Sequence, residues 1–321
     1  LSPGLATILE AQNSVYEASP ARDEHLRALR AGACAVVTGQ QTGLFLGPLF
    51  TLYKAASTIR LARWLASRWN APVVPVFWLQ TEDHDAAEIA VCHLARGADE
   101  PLTLKLDVAE DAVSVARRVL PDDVSTRLDE LATVVARLPH GEEHVACLAR
   151  HYRPGIGWGR AFAGVLSSLF AEEGLVLVDP CDPALAPFAA PVHERALTES
   201  AAIANALVER GEALEAAGFR PGVHVRPGAP LSFFHPEGAG GPRYRLAKAD
   251  GGFVEVGGAR TRTLPELLSA LDRDPASFTT SALLRPILQD SWFPTIAYVG
   301  GPAEVAYFAQ LAPVYAVFDV A

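Results

Sequence analysis

Methionine is absent from the 321-residue sequence, which opens on Leu1, as fits a segment of a longer protein. Cysteine is scarce. The four, at 34, 92, 147 and 181, form no Cys-x-x-Cys and no close pattern with histidine, so neither a zinc site nor a disulfide scaffold is expected, and the thiols should be reduced. No basic segment followed by an apolar one stands at the start, which makes the cytoplasm the expected compartment. Basic clusters are missing as well. With 27 Lys and Arg against 37 Asp and Glu the net charge is −10, and nothing gathers the cations that a phosphate-backbone reader needs, so nucleic acid is not an expected partner. The longest uncharged run, residues 31–53, is broken by Thr-Gly-Gln-Gln-Thr-Gly and a Gly-Pro, so no membrane span is expected. Internal repeats and low-complexity segments are lacking too.

What remains is ordinary globular composition, half apolar and a fifth charged. At roughly 100 to 200 residues per domain it suits one large domain or two modest ones. Residues 33–37 form an apolar run without alternation that ends in Thr-Gly, the pattern of a strand buried on both faces. A glycine-rich loop, 39–47, leads to Pro48 at the first position of an amphipathic helix to about Arg68. Val73 to Leu79 is a second buried strand, in which Pro75 predicts a bulge or an edge segment. Strand, helix, strand makes a right-handed βαβ unit with its functional loops at the carboxyl ends of the strands. Residues 98–174 read as a helical insertion, 175–178 as a third core strand, 189–217 as helix, and 229–260 as a small antiparallel insert. Residues 295–299 form a last strand running into Gly300-Gly301-Pro302 and another helix. The expected class is α/β, a Rossmann-like parallel sheet core over 1–97, 175–228 and 261–321 with the two insertions between.

Three segments follow predicted strand ends, where open α/β sheets bind ligands. The first, Thr38-Gly39-Gln40-Gln41-Thr42-Gly43 on to Gly47, permits close backbone approach and feeds a helix N-terminus, which suits an anion or nucleotide; the same glycines also serve a plain tight turn. It is neither a Walker loop nor Gly-x-Gly-x-x-Gly. The second, Thr81-Glu82-Asp83-His84-Asp85, crowds four titratable groups, and crowding of this kind tunes a general acid or base; His84 is the candidate base. Helix capping and a divalent metal on Asp83, His84 and Asp85 are the alternatives. The third, Tyr298 with Gly300, Gly301 and Glu304, can hold a substrate carboxylate or amine. Upstream, Arg285 can fork onto a carboxylate or pair with Asp290. Lys54 is expected to be solvated.

The run Val36-Val37-Thr38-Gly39-Gln40-Gln41-Thr42-Gly43-Leu44-Phe45-Leu46-Gly47-Pro48, with Val74-Pro75-Val76-Phe77-Trp78 and Thr81-Glu82-Asp83-His84-Asp85, closely resembles the cysteine-adding enzyme family of bacillithiol biosynthesis. So do Leu284-Arg285-Pro286, Gln289-Asp290 and the stretch from Ala297 to Tyr307, and the resemblance covers nearly the whole chain. It implies a nucleotidyltransferase-like Rossmann core and a ligase that joins the cysteine carboxyl group to the amine of glucosaminyl malate, the last step of bacillithiol synthesis. It further implies ATP with Mg2+ at Thr38, Gly39, Gln40, Gln41, Gly43 and Gly47, and acid–base work at His84 with Asp83 and Asp85. Substrate contacts are implied at Glu82, Arg285, Asp290, Tyr298, Gly300, Gly301 and Glu304, with no resident metal. Family members form homodimers through a helical coiled-coil region beyond the counterpart of Tyr307, and that region is absent here. A catalytically silent assembly module and a metal-dependent hydrolase are the competing functions.

Overall fold

The computed structural model describes residues 1–96, 99–258 and 260–320; the first residue of the expected helical insertion, Ala98, and Ala259 in the expected β insert lie outside them. In chain order the first elements are α1 (Pro3–Ser14), α2 (Pro20–Arg30), β1 (Cys34–Gln40), α3 (Phe50–Trp69), β2 (Val73–Leu79) and α4 (Ala86–Ile89). They continue with β3 (Val91–Arg96), β4 (Asp99–Lys105), α5 (Val124–Val135), α6 (Gly141–His151), α7 (Trp158–Leu169) and β5 (Val176–Val178). Then come α8 (Ala186–Thr198), α9 (Ser200–Ala216), β6 (Ser232–Phe234), β7 (Tyr244–Ala249), β8 (Gly252–Glu255), β9 (Thr261–Arg262) and α10 (Leu264–Arg273). Last are β10 (Phe278–Thr280), α11 (Arg285–Trp292), β11 (Thr295–Tyr298), α12 (Pro302–Phe308) and α13 (Ala312–Phe318). The chain divides into two compact units, one of Ala6–Pro180 with Ile296–Val299, the other of Leu1–Leu5, Cys181–Thr295 and Gly300–Ala321.

The unit that begins at Ala6 is built on a sheet of order β11-β1-β2-β5, in which β1, β2 and β5 run parallel. Its strands are apolar without alternation because both faces are covered: Ala35, Val36, Val37 and all of β2 are buried. Helix α3 buries Thr51, Lys54, Ala55, Thr58, Ile59 and Ala62, a stripe at three- and four-residue spacing, and stops at Asn70 in the left-handed region with φ 51°. It starts at Phe50, so Pro48 stands two residues ahead of the helix rather than at its first position. Of the two expectations for Pro75, the edge segment holds and the bulge does not: the β1–β2 register runs unbroken from Cys34↔Val73 to Gln40↔Leu79. The reason is that β5 reaches only Val76 to Trp78, which leaves one side of β2 without a partner strand at Pro75.

The expected helical insertion opens instead with an antiparallel hairpin, β3–β4. Its signal was in the sequence, since Leu102, Leu104 and Leu106 alternate with the exposed Thr103 and Lys105. Helices α5, α6 and α7 follow, and α7 buries nine of its twelve residues, its Phe162 ring 6.2 Å from Phe77. Glycine allows that closeness: a methyl group on Gly164 would sit 2.3 Å from the His151 ring, and one on Gly159 would sit 2.8 Å from the Thr81 methyl. The outer edge of β5 is met by side chains of α1. Asn13 accepts from Leu177 N–H (3.0 Å) and donates to Leu177 O (2.8 Å), while Gln12 donates to Asp179 O (3.0 Å) and accepts from Asp179 N–H (3.1 Å).

The other unit holds an antiparallel sheet of order β10-β6-β7-β8-β9 with a core of Leu197, Phe234, Leu246, Phe253, Leu267, Leu271 and Phe278. The meander expected over 229–260 supplies β6, β7 and β8. The helix expected over 189–217 is two, α8 and α9, broken at Glu199. The stretch expected to continue the core, 175–228, therefore divides: β5 belongs with the parallel sheet, α8 and α9 with the antiparallel one. Likewise only residues 296–299 of the expected last core segment belong with the parallel sheet. Helix α10 begins with a reciprocal cap, Thr263 and Glu266 each accepting from the other's backbone N–H.

Candidate active site at the carboxyl ends of the parallel strands

Strands β1 and β2 end side by side at Gln40 and Leu79, so the glycine loop and the Thr81 to Asp85 segment emerge together. The loop is closed on itself. A methyl on Gly43 would lie 2.3 Å from Gly47 O, and one on Gly39 would lie 2.9 Å from Trp78 O and 3.5 Å from the Tyr298 hydroxyl. Packing within the chain thus accounts for glycine at 39 and 43. Behind the loop the indole N–H of Trp158 donates to Thr42 O (2.6 Å) and the Tyr152 hydroxyl to Gly43 O (3.3 Å). Burial pushes the Tyr152 hydroxyl's pKa up, so it remains a donor. Thr38 is buried and gives its hydroxyl hydrogen to Val299 O (2.7 Å), a bond that ties β1 to the residue after β11.

Lys54, expected to be solvated, is buried. It lies on the inward stripe of α3, and its ammonium donates to Gly39 O and to Gln40 Oε1 (3.3 Å). The carboxyl end of β1 is therefore held by a cation.

The acidic segment is pinned at both ends. The Thr81 hydroxyl donates to Asp179 Oδ1, Ala116 N–H donates to Thr81 O, and Val115 N–H to Asp83 O (2.7 Å). Asp83 accepts from His84 N–H through Oδ1 (2.7 Å) and from the Gln41 side-chain amide through Oδ2 (2.7 Å). The imidazole Nδ1 of His84 lies 3.8 Å from Asp83 Oδ1, and its side chain is 37% exposed, so a bound molecule can reach it. Glu82 is buried. Asp85 caps α4, its Oδ1 accepting from Glu88 N–H (3.0 Å), so the capping alternative holds for this member of the cluster. Glu88 shares the Gln41 amide with Asp83, at 2.8 Å. The arrangement can take a proton at His84 with Asp83 beside it to stabilise the imidazolium. Among the described residues no group of three or more His, Cys, Asp or Glu is disposed to hold a metal ion.

A cavity of about 730 Å³ opens beside the loop, lined among others by Gln40, Gln41, Gly43, Gly47, Glu88 and Cys92. Burial raises the Cys92 thiol's pKa, so it faces the cavity uncharged.

Arg285, Asp290, Gly300, Gly301 and Glu304 belong to the other unit. There Arg285 is buried and donates to Gln289 Oε1 (2.8 Å) and the Tyr307 hydroxyl (3.1 Å); Gln289 donates to Asp290 Oδ1 (2.7 Å), and Asp290 Oδ2 accepts from the Tyr315 hydroxyl. Arg285 and Asp290 are thus joined through Gln289. Glu304 accepts from Gly301 N–H (2.8 Å) and so caps its own helix. Sequence reasoning missed Lys54, Glu88 and Asp179. Asp179 had a usable signal, its place directly after the third core strand.

A parallel sheet with a glycine loop and a histidine–carboxylate pair at its strand ends is a Rossmann-like arrangement with a candidate site there. Residues 2–321 match the family described as "Bacillithiol biosynthesis BshC, N-terminal Rossmann-like domain", and the chain belongs to that family. It is 39% identical over 97% of its length to a protein of Koribacter versatilis named "Putative cysteine ligase BshC", of which it covers 57%. Proteins of the same name from Solibacter usitatus and Salinibacter ruber are 38% and 36% identical over 90% and 97% of this chain, which covers 53% and 56% of them. The chain spans little more than half the length of these curated relatives. No helix among the described residues is long and apolar enough to cross a membrane.

Proposed function

We propose that this chain is the Rossmann-like part of a cysteine ligase, joining the carboxyl group of L-cysteine to the amine of glucosaminyl malate to give bacillithiol. The observation that carries the reading is the Asp83–His84 pair beside Gln41 at the strand ends, in a chain of this family. A carboxylate and an ammonium do not condense in water at neutral pH, so the acid must be activated and the amine must lose its proton. His84 is the base that takes the amine proton; Asp83, 3.8 Å from its Nδ1, stabilises the charge it acquires. Gln41 keeps Asp83 in place. ATP, as its magnesium complex, would supply the activation. Magnesium favours one or two protein carboxylates together with phosphate oxygens, and Asp83 and Glu88, which meet at the Gln41 amide, are such a pair. The loop contributes no free cation for the phosphates, since Lys54 is turned inward to Gly39 and Gln40.

Arg285, joined to Gln289 and through it to Asp290 within the other unit, is a candidate there for holding a carboxylate, for which a guanidinium fork is suited. The reaction belongs in the cytoplasm, where a free thiol product persists. Homodimerisation is assigned to the longer family proteins. The test is incubation of the longer protein with cysteine, glucosaminyl malate and ATP, followed by mass detection of bacillithiol and AMP. Formation of both supports the reading; AMP without the thiol, or neither, contradicts it.

A further inference from the structure

The two glutamines of the loop are fixed with opposite polarity. Lys54 has only hydrogens to give, so the atom of Gln40 that faces it at 3.3 Å is Oε1. Asp83 and Glu88, ionised, only accept, so the atom of Gln41 that faces both is Nε2, at 2.7 and 2.8 Å. No partner occurs among the described residues for the remaining atoms, Gln40 Nε2 and Gln41 Oε1. Both residues line the cavity of about 730 Å³, whose other walls are largely apolar and include Leu46, Leu49, Ile89, Leu148 and Val165. Its size is that of small-molecule sites, and a few oriented polar groups on an apolar wall set what such sites accept.

We propose that this cavity binds a small neutral molecule whose planar, amide-like edge offers an acceptor to Gln40 and a donor to Gln41, with an apolar ring-sized body against the walls. Each charged alternative leaves one of the glutamine groups without its partner. A carboxylate would meet the Gln40 amide hydrogens but also the Gln41 oxygen and the nearby Glu88 and Asp83. An ammonium would satisfy Gln41 and be drawn toward Glu88 and Asp83, but those carboxylates are already engaged by the Gln41 amide, and an ammonium offers no acceptor to Gln40 Nε2. Only a group with both functions satisfies both glutamines, and an unpaired polar group in an apolar site is costly. The inference rests on the cavity and its amides and does not need the ligase reading.

Three probes of one shape test it: benzamide, benzoate and benzylammonium, titrated into the full chain with binding read by ligand-observed NMR. Benzamide should bind with a dissociation constant on the order of millimolar, as so small a molecule allows, and the two charged probes about tenfold more weakly. Gln40→Glu keeps the shape but removes the donor, and should weaken benzamide about tenfold. Gln40→Met does the same without adding charge. Leu169→Trp, at a lining position 38% exposed and so tolerant of a larger ring, should weaken all three probes by filling the mouth. Absence of benzamide binding, equal binding of a charged probe, or benzamide affinity unchanged in a folded Gln40 variant would each overturn the proposal.

Discussion

Gly43→Ala is the substitution whose outcome the loop determines most closely. Gly43 and Gly47 have φ of −64° and −62°, conformations open to any residue, so the penalty lies in contact and not in backbone strain. At 43 the new methyl would lie 2.3 Å from Gly47 O, and relief requires a backbone carbonyl to retreat by about 1 Å in a close-packed region. That carbonyl is poorly free to move. Gly47 N–H is bonded to Leu44 O (2.9 Å), and the opposite side of the loop is held by Trp158 at Thr42 O. Overpacking of this kind costs about 1–3 kcal/mol, from which the lowered entropy of the unfolded chain recovers about 0.4–1 kcal/mol. The net loss should be about 1–2 kcal/mol. Gly47→Ala is the internal control: its methyl would meet Leu44 O at 3.2 Å and Cys92 Sγ at 3.6 Å, a small displacement, so it should be nearly neutral. Urea unfolding of both variants measures the difference. The Trp158 indole proton resonance should shift in Gly43→Ala alone as the Thr42 bond is disturbed. Gly43→Ala equal to Gly47→Ala in stability, with an unmoved indole signal, would refute the argument that self-packing requires glycine at 43.

Lys54→Met preserves the packed stem and removes the donor, leaving Gly39 O and Gln40 Oε1 short of a partner; urea unfolding should show a loss of about 1–3 kcal/mol, and a neutral result would mean that water replaces the ammonium. In the longer protein, His84→Gln should lower turnover at saturating substrates about 10² to 10⁴-fold, whereas Asp85→Ala should cost about 1 kcal/mol of stability by uncapping α4 and change turnover little. Steady-state assays separate the two, and an equal collapse of turnover in Asp85→Ala would contradict its capping role. His193 is fully buried against Ser232, and burial lowers its pKa to about 3, so it is neutral in the fold at pH 7. Below about pH 6.5 the unfolded chain binds a proton that the fold refuses, so stability should decline by about 1.4 kcal/mol per pH unit down to about pH 3, or about 2 kcal/mol between pH 7.5 and 5. His193→Asn should flatten that slope in urea midpoints, and a wild-type profile already flat between those pH values would contradict it.

Strands with both faces buried announce themselves, because they lack any alternation: β1, β2 and β5 were readable for that reason. The hairpin β3–β4 was not, although its alternating leucines were present, because three amphipathic helices downstream dominate the same region. Helices α1 and α2 went unread in a stretch rich in exposed charge. In the site, segment positions were legible and partners were not. Which acid caps and which faces the histidine depends on loop geometry a few ångströms across, and the sequence of Asp83 and Asp85 is symmetric in that respect. Lys54 shows the limit most clearly. A lysine is assigned to water by default, and only its place on the buried stripe, between Thr51 and Thr58, argued otherwise.

The side-chain amides of Gln12 and Asn13 present to β5 the same alternation of N–H and C=O that a neighbouring strand would, at Leu177 and again at Asp179. In chemical terms α1 completes the sheet without belonging to it. An uncovered strand edge is a template on which other chains polymerise, and proteins ordinarily blunt it with charge, proline or a bulge. Val176, Leu177 and Val178 offer none of these, being apolar, regular and buried, and charge and proline come only after them, at Asp179 and Pro180. Protection of this edge from aggregation therefore falls to two amides on a helix near the chain's start, and loss of that helix would turn the outermost strand of the parallel sheet into a seed for assembly.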